Sequence, residues 1–216
     1  MAVTSKERMR MLLSGELPDR IGKADAPWPE TRQRWHDEGM PAEVHANDFF
    51  EMDMRMNIRT LPTFQLEEKV VEETDQWQVI SDADGNVTKY WKGKSGVPLP
   101  LKNAIESRED WERLKDRLVP NERRFAFGYY GNYMHEYAQG TVEEVKAAYD
   151  SCETLDETFV SMEVADPYEW AMAKMGDERI LMTMVMEPEL LTEMWSAYVK
   201  FVKGLSLIHI SEPTRP

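Results

Sequence analysis

LSLIHISEPTRP, residues Leu205 to Pro216, closes the chain and decides how the fold upstream is read. Back-translated, it fits one reading frame of the mosaic-end adapter used in transposase-based sequencing libraries, so it reads as translated adapter. The competing reading is a natural tail, a short amphipathic strand with a Pro-containing end of the kind that closes many domains. Segments of non-biological origin are set aside before a fold is argued. On the adapter reading, residues 205–216 are a non-native tail. The natural chain is then expected to continue past Gly204, and residues 1–204 are expected to be the amino-terminal part of a larger fold.

Working upstream, Pro188 opens a helix over Glu189 to Lys203 with Leu190, Leu191, Met194, Tyr198 and Phe201 on one side. Before it, a helix from Pro167 to Met175 is closed by Gly176, and Asp177 caps the next one. Thr158 to Val164 reads as a strand, and Thr141-Val142-Glu143-Glu144 as a capping box that opens a helix. Arg123 to Gly140 is rich in aromatics with no sustained helical period, and its rings are expected to line a site. Ser107 to Asp110 caps a helix carrying Trp111, Leu114 and Leu118, stopped by Pro120.

The first half contains a meander, with strands over Glu67–Glu73, Trp77–Ser81 and Val87–Trp91. The Asp-Gly of Asp82 to Asn86 supplies the positive backbone angles of a tight hairpin. Alternation from Phe49 to Pro62 predicts a strand or extended edge. Pro27 to Thr31 starts a helix that Gly39 ends, and Leu17 to Ile21 leads into what is expected to be the first strand. Thr4-Ser5-Lys6-Glu7 is a second capping box. Strands separated by helices, with one inserted hairpin, predict an α/β chain with parallel pairing.

Composition narrows the partners. The 216 residues are 42% hydrophobic and carry 40 acidic against 26 basic side chains, a net charge of -14. That balance disfavours non-specific binding to nucleic acid or to an anionic membrane surface, which depends on clustered Lys and Arg. The opening MAVTSKERMRMLL has charges where a signal peptide would need an apolar run, no later run reaches the length of a membrane span, and the single Cys152 suits a reducing compartment. A cytoplasmic location is the expectation.

Most local motifs fail on spacing. His135-Glu136 lacks the second His of a zinc-protease helix, because Gln139 stands there. Gly93-Lys94-Ser95 lacks the first Gly of a phosphate loop, Thr88 occupying that place, and Asp82 to Gly93 lacks the closing Glu of a calcium loop. Cys152 has no evident activating partner. Two places remain. One is Trp28-Pro29-Glu30-Thr31-Arg32-Gln33-Arg34-Trp35, where an indole, a carboxylate and two guanidinium groups gather at a strand-to-helix connection. The other is the aromatic run Phe125 to Tyr137.

The segment order GELPDRI, PWPETRQRWHDEGMP, DFFEMDMR, the EEKVVEETDQWQVISDADGNVTKYWKG hairpin, SREDWERLKDRL and EPELLTEMWSAYVKF resembles divergent bacterial members of the uroporphyrinogen decarboxylase superfamily over nearly all of residues 1–204. The resemblance implies the amino-terminal portion of a (β/α)8 TIM barrel with an inserted β-hairpin. It implies a carboxy-lyase of porphyrin biosynthesis, with Arg32 and Arg34 orienting an anionic substrate, Trp28 and Glu30 beside them, and Asp53 as candidate for the catalytic Asp. Arg32-Gln33 matches part of the family's Met-Arg-Gln-Ala-Gly-Arg segment, whereas Arg34-Trp35-His36 departs from it.

The alternative within the superfamily is a methyltransferase acting on a small methylated substrate, with corrinoid and with zinc held by His and Cys downstream. No cofactor is expected in residues 1–204 themselves. A homodimer is compatible with either branch. A third reading is a non-enzymatic acidic α/β interaction module complete near Gly204.

Overall fold

The computed structural model describes residues 3–93, 96–131, 136–152 and 157–211, with side chains as far as residue 206. In chain order the elements are α1 (Ser5–Leu13), α2 (Pro29–Asp37), α3 (Ala46–Phe49), β1 (Met54–Thr60), β2 (Lys69–Glu73), β3 (Trp77–Ser81), β4 (Val87–Trp91), β5 (Leu99–Lys102), α4 (Arg108–Leu114), β6 (Phe125–Tyr129), β7 (Ala138–Gly140), α5 (Val142–Asp150), β8 (Phe159–Glu163), α6 (Pro167–Met175), α7 (Asp177–Met186) and α8 (Pro188–Ser211). The chain is mixed α/β, with two four-stranded sheets and no closed barrel among the described residues. It divides into two compact units, Met1–Leu61 with Glu122–Glu163, and Pro62–Asn121 with Val164–Pro216.

The first unit is built on the sheet β7-β6-β1-β8. β1 pairs antiparallel with β6 and parallel with β8, and β6 pairs antiparallel with β7. Phe125, Ala126 and Phe127 of β6, with Met56 and Val145, are buried in its core, and Phe127 meets Tyr149 of α5 edge-on at 5.3 Å. Both expected capping boxes form, Thr4 with Glu7 at α1 and Thr141 with Glu144 at α5.

Two expectations in this unit are corrected. The alternating run Phe49 to Pro62 is not one extended piece. His45 Nδ1 accepts the Asn47 N–H and caps the short α3, and Glu51 turns the chain at φ 49° before β1 begins at Met54. The segment after Ile21 forms no strand. The Lys23 N–H is taken by the Asp53 carboxylate, and the Lys23 carbonyl accepts the N–H groups of Asp53 at 2.8 Å and Met54 at 3.3 Å, so its backbone is committed to the head of β1 rather than to a ladder.

The second unit holds the meander β2-β3-β4-β5 and the helices α4, α6, α7 and α8. The hairpin forms as expected: Asp82 Oδ1 accepts from the N–H groups of Asp84 and Asn86, and Gly85 takes φ 92°. A fourth strand, β5, lies in the Pro-rich connection that the sequence leaves without a strand. As the edge of the sheet it tolerates Pro100, which stands opposite Thr88 beside a register shift. The core stacks Trp170 on Tyr198 at 4.8 Å and sets Phe64 and Trp111 edge-on to Trp170, all fully or almost fully buried. Gly176, φ 76°, separates α6 from α7 and itself caps α7, with Asp177 inside the first turn.

Asp84 and Lys174 form a buried ion pair at 2.6 Å that ties the hairpin to α6. α8 buries Leu190, Leu191, Met194, Tyr198, Phe201 and also Leu205. It passes Gly204 without a break, so the backbone marks no boundary there. Among the described residues no helix is long and apolar enough to cross a membrane.

Candidate functional site

Asp53, the candidate catalytic carboxylate, stands at the head of β1 and is wholly buried. Its oxygens accept from Arg8 Nη1 at 2.7 Å, Arg20 Nη1 at 2.6 Å, Arg20 Nη2 at 3.2 Å and the Lys23 N–H at 2.8 Å. Arg8 of α1, itself buried, also forks onto Asp19 at 2.7 and 2.9 Å. Burial pushes the Asp53 carboxyl up, but the donors from Arg20, Lys23 and Arg8 outweigh it and hold the group below the usual carboxylate range. Hydrogen bonding to Asp19, ahead of the contribution from Asp53, raises the Arg8 guanidinium. The result is an ionised tether that joins α1 and the 19–23 segment to β1.

The second expected constellation is split by helix geometry. Trp28 is the residue before α2 and is 57% exposed, and Glu30 is exposed in the first turn. Arg32 turns inward and forks onto Glu136 at 3.2 and 3.5 Å. Arg34 turns outward to Glu38, with its side chain 76% exposed. Positions two apart on a helix lie about 200° apart around its axis, so these two guanidiniums do not converge. Trp35 packs edge-on to Phe50 at 4.6 Å.

A different set of side chains does converge. On β1, Asn57 and Arg59 share one face, and the parallel register sets them opposite Ser161 and Glu163 of β8. Arg59 Nη2 donates to Glu163 Oε1 at 2.6 Å, and Asn57 Nδ2 donates to Glu163 Oε2 at 3.0 Å. The Tyr137 hydroxyl donates to Asn57 Oδ1 at 2.6 Å, and the Arg59 guanidinium stands 5.7 Å from the Tyr137 ring centre. Gly128 makes this approach possible: it is the β6 partner of Asn57, and a Cβ there would lie 3.1 Å from the Tyr137 ring.

Arg59, Tyr137 and Glu163 border a cleft of about 420 Å³, lined also by Ala26, Met54, Tyr130, Gly131, Ser161 and Met162. Asn57 is wholly buried, whereas the Arg59 and Glu163 side chains are 31% and 45% exposed. Burial raises the Tyr137 phenol, opposed by the charge of Arg59 and reinforced by that of Glu163, so the hydroxyl remains a donor at neutral pH. The cleft therefore offers a cation, a carboxylate and the Ser161 hydroxyl beside thioether and aromatic walls.

The aromatic run does supply lining residues, Tyr130 and Tyr137, while residues 132–135 lie outside the described residues. Asn57, Arg59 and Glu163 went unmarked in the sequence. The signal available was two polar residues at positions i and i+2 of an apolar strand, which gives no hint of the strand that will face them.

His36 Nδ1 lies 3.0 Å from the Met40 carbonyl, His45 stacks on Tyr129 at 3.8 Å, and Cys152 is a half-buried thiol. His135, Lys94, Ser95 and the His209 side chain lie outside the described residues. Among the described residues no three His, Cys, Asp or Glu side chains are grouped to hold a metal ion. No family model, curated protein or solved structure matches the chain.

Proposed function

We propose that the chain is the amino-terminal part of an enzyme related to the uroporphyrinogen decarboxylase superfamily, contributing early strands of a (β/α)8 barrel, and that its cleft receives a carboxylate of a small-molecule substrate on Arg59. The observation that carries this reading is the placement of Arg59 and Glu163 at the carboxyl ends of the parallel pair β1 and β8. In parallel α/β architectures ligands gather at that end of the strands, because loops and side chains converge there while the opposite end serves stability. In a chain of net charge -14 an anion needs a local cation, and Arg59 has a planar fork suited to a carboxylate.

This reading moves the anion grip from Arg32 and Arg34 to Arg59. Arg32 forks onto Glu136 and is not among the residues that border the cleft, and Arg34 stands on the solvent side of α2. Porphyrinogen decarboxylation is the activity that the sequence resemblance implies, but the carboxylate grip on Arg59 does not depend on a porphyrinogen, and the cleft of about 420 Å³ suits a smaller molecule. Isocaproate, a monocarboxylate sized for the cleft, tests the grip by calorimetric titration. Binding should weaken at least ~10-fold in Arg59→Met, the loss of one charged hydrogen-bonded contact, and stay unchanged in Arg34→Met. Loss in Arg32→Met with none in Arg59→Met would return the role to α2.

A further inference from the structure

Arg59 and Glu163 face the cleft as a pair, and a pair selects differently from a lone cation. Glu163 is fixed from two sides, by Asn57 on Oε2 and by Arg59 on Oε1. Asn57 is in turn fixed by the Tyr137 hydroxyl, and Tyr137 by the space that Gly128 leaves. A carboxylate has about four acceptor sites, so Glu163 retains acceptor capacity, and its side chain is the more exposed of the two at 45%. An anion approaching Arg59 meets the repulsion of Glu163 at nearly the same distance, and a simple cation meets the converse penalty. A molecule with a positive and a negative group on neighbouring atoms can lie antiparallel to the pair and satisfy both.

We infer that the ligand of this cleft is a zwitterion of the amino-acid class, its carboxylate on Arg59, its ammonium N–H groups on Glu163, and its apolar body against Met54. The inference rests on the carboxylate reading above and adds the second charge to it. An ammonium bearing hydrogens is favoured over a quaternary one, because Glu163 is oriented as a hydrogen-bond acceptor. Ser161, opposite Asn57 on the same face, adds a hydroxyl to the polar side of the cleft.

Three molecules of matched shape separate the cases: leucine, isocaproate, which lacks its amino group, and isoamylamine, which lacks its carboxylate. Each is titrated by calorimetry into the 216-residue chain and into Glu163→Gln and Arg59→Met. Glutamine keeps the shape of Glu163 and its acceptor for Asn57, and far-UV circular dichroism verifies that each variant is folded. Leucine should bind at least ~10-fold more tightly than either analogue, one further charged hydrogen bond being worth about that factor. Glu163→Gln should abolish the preference for leucine over isocaproate while leaving isocaproate bound. Equal binding of leucine and isocaproate in the unaltered chain would overturn the zwitterion and leave the carboxylate reading standing. Isoamylamine binding tightest, or no binding by any of the three, would overturn both.

Discussion

Replacing Asp53 by Asn tests whether the most buried carboxylate of the first unit is a structural tether or a reacting group. The carboxylate is fully buried and accepts four hydrogen bonds of 3.2 Å or less from Arg8, Arg20 and Lys23. Breaking a buried ion pair by removing one partner costs about 3–5 kcal/mol, because the remaining charge is left without compensation. Here the residual charges are partly looked after. Arg8 keeps its fork on Asp19, and the Arg20 side chain is 33% exposed and can hydrate. The expected loss is therefore at the low end, about 3 kcal/mol at pH 7.

The pH dependence has a definite sign. The folded-state pKa of Asp53 lies below its unfolded value, so the unfolded chain binds more protons across the interval between them. The stabilisation is complete above the unfolded value of about 4 and is lost as pH falls through the folded value. Urea unfolding followed by far-UV circular dichroism at pH 7 and at successive pH values below about 4 should show the two proteins converging in stability. A loss under about 0.5 kcal/mol at pH 7, of the size expected for an ordinary surface change, or a difference that does not shrink in acid, would refute the tether.

Other perturbations follow from the same reasoning. Lys174→Met should destabilise the second unit by about 3 kcal/mol at neutral pH by leaving Asp84 buried and unpaired, and adding Asp84→Asn should recover part of the loss in the same urea titration. Because burial already raises the Asp84 carboxyl against the pull of Lys174, its folded form favours the proton, and the Lys174→Met defect should grow as pH rises through its folded value. Gly128→Ala sets a methyl 3.1 Å from the Tyr137 ring, so thermal melting should show a loss of about 1–3 kcal/mol, as overpacking gives. Leu205→Ala should remove most of the burial of Leu205 and lower the melting temperature, a loss of about 2–5 kcal/mol.

What the sequence discloses is mostly local. The boxes at Thr4 and Thr141 and the Asp82 to Asn86 hairpin are each set by residues within five positions, and each forms as read. Partner choice between distant strands is a different matter. β1 finds β8 across a separation of 104 residues at Arg59 and Glu163, and Tyr137 reaches Asn57 across 80. Nothing within a short window of either strand encodes that choice. β5 is hidden in the sequence because its Pro100 suits an edge, and whether a strand is an edge depends on the whole sheet. The divergence of Arg32 and Arg34 was legible, since helical spacing alone separates positions i and i+2.

A carboxylate in the cleft must meet Arg59 for the proposed grip to operate. Nitrogen-15 spectra of the arginine Nε–H groups, recorded while isocaproate is added to the 216-residue chain, report on that contact directly. The account predicts a saturable shift of the Arg59 signal with the Arg34 signal unmoved. A saturable shift at Arg32 with Arg59 silent, or no saturable shift at any arginine, would contradict it.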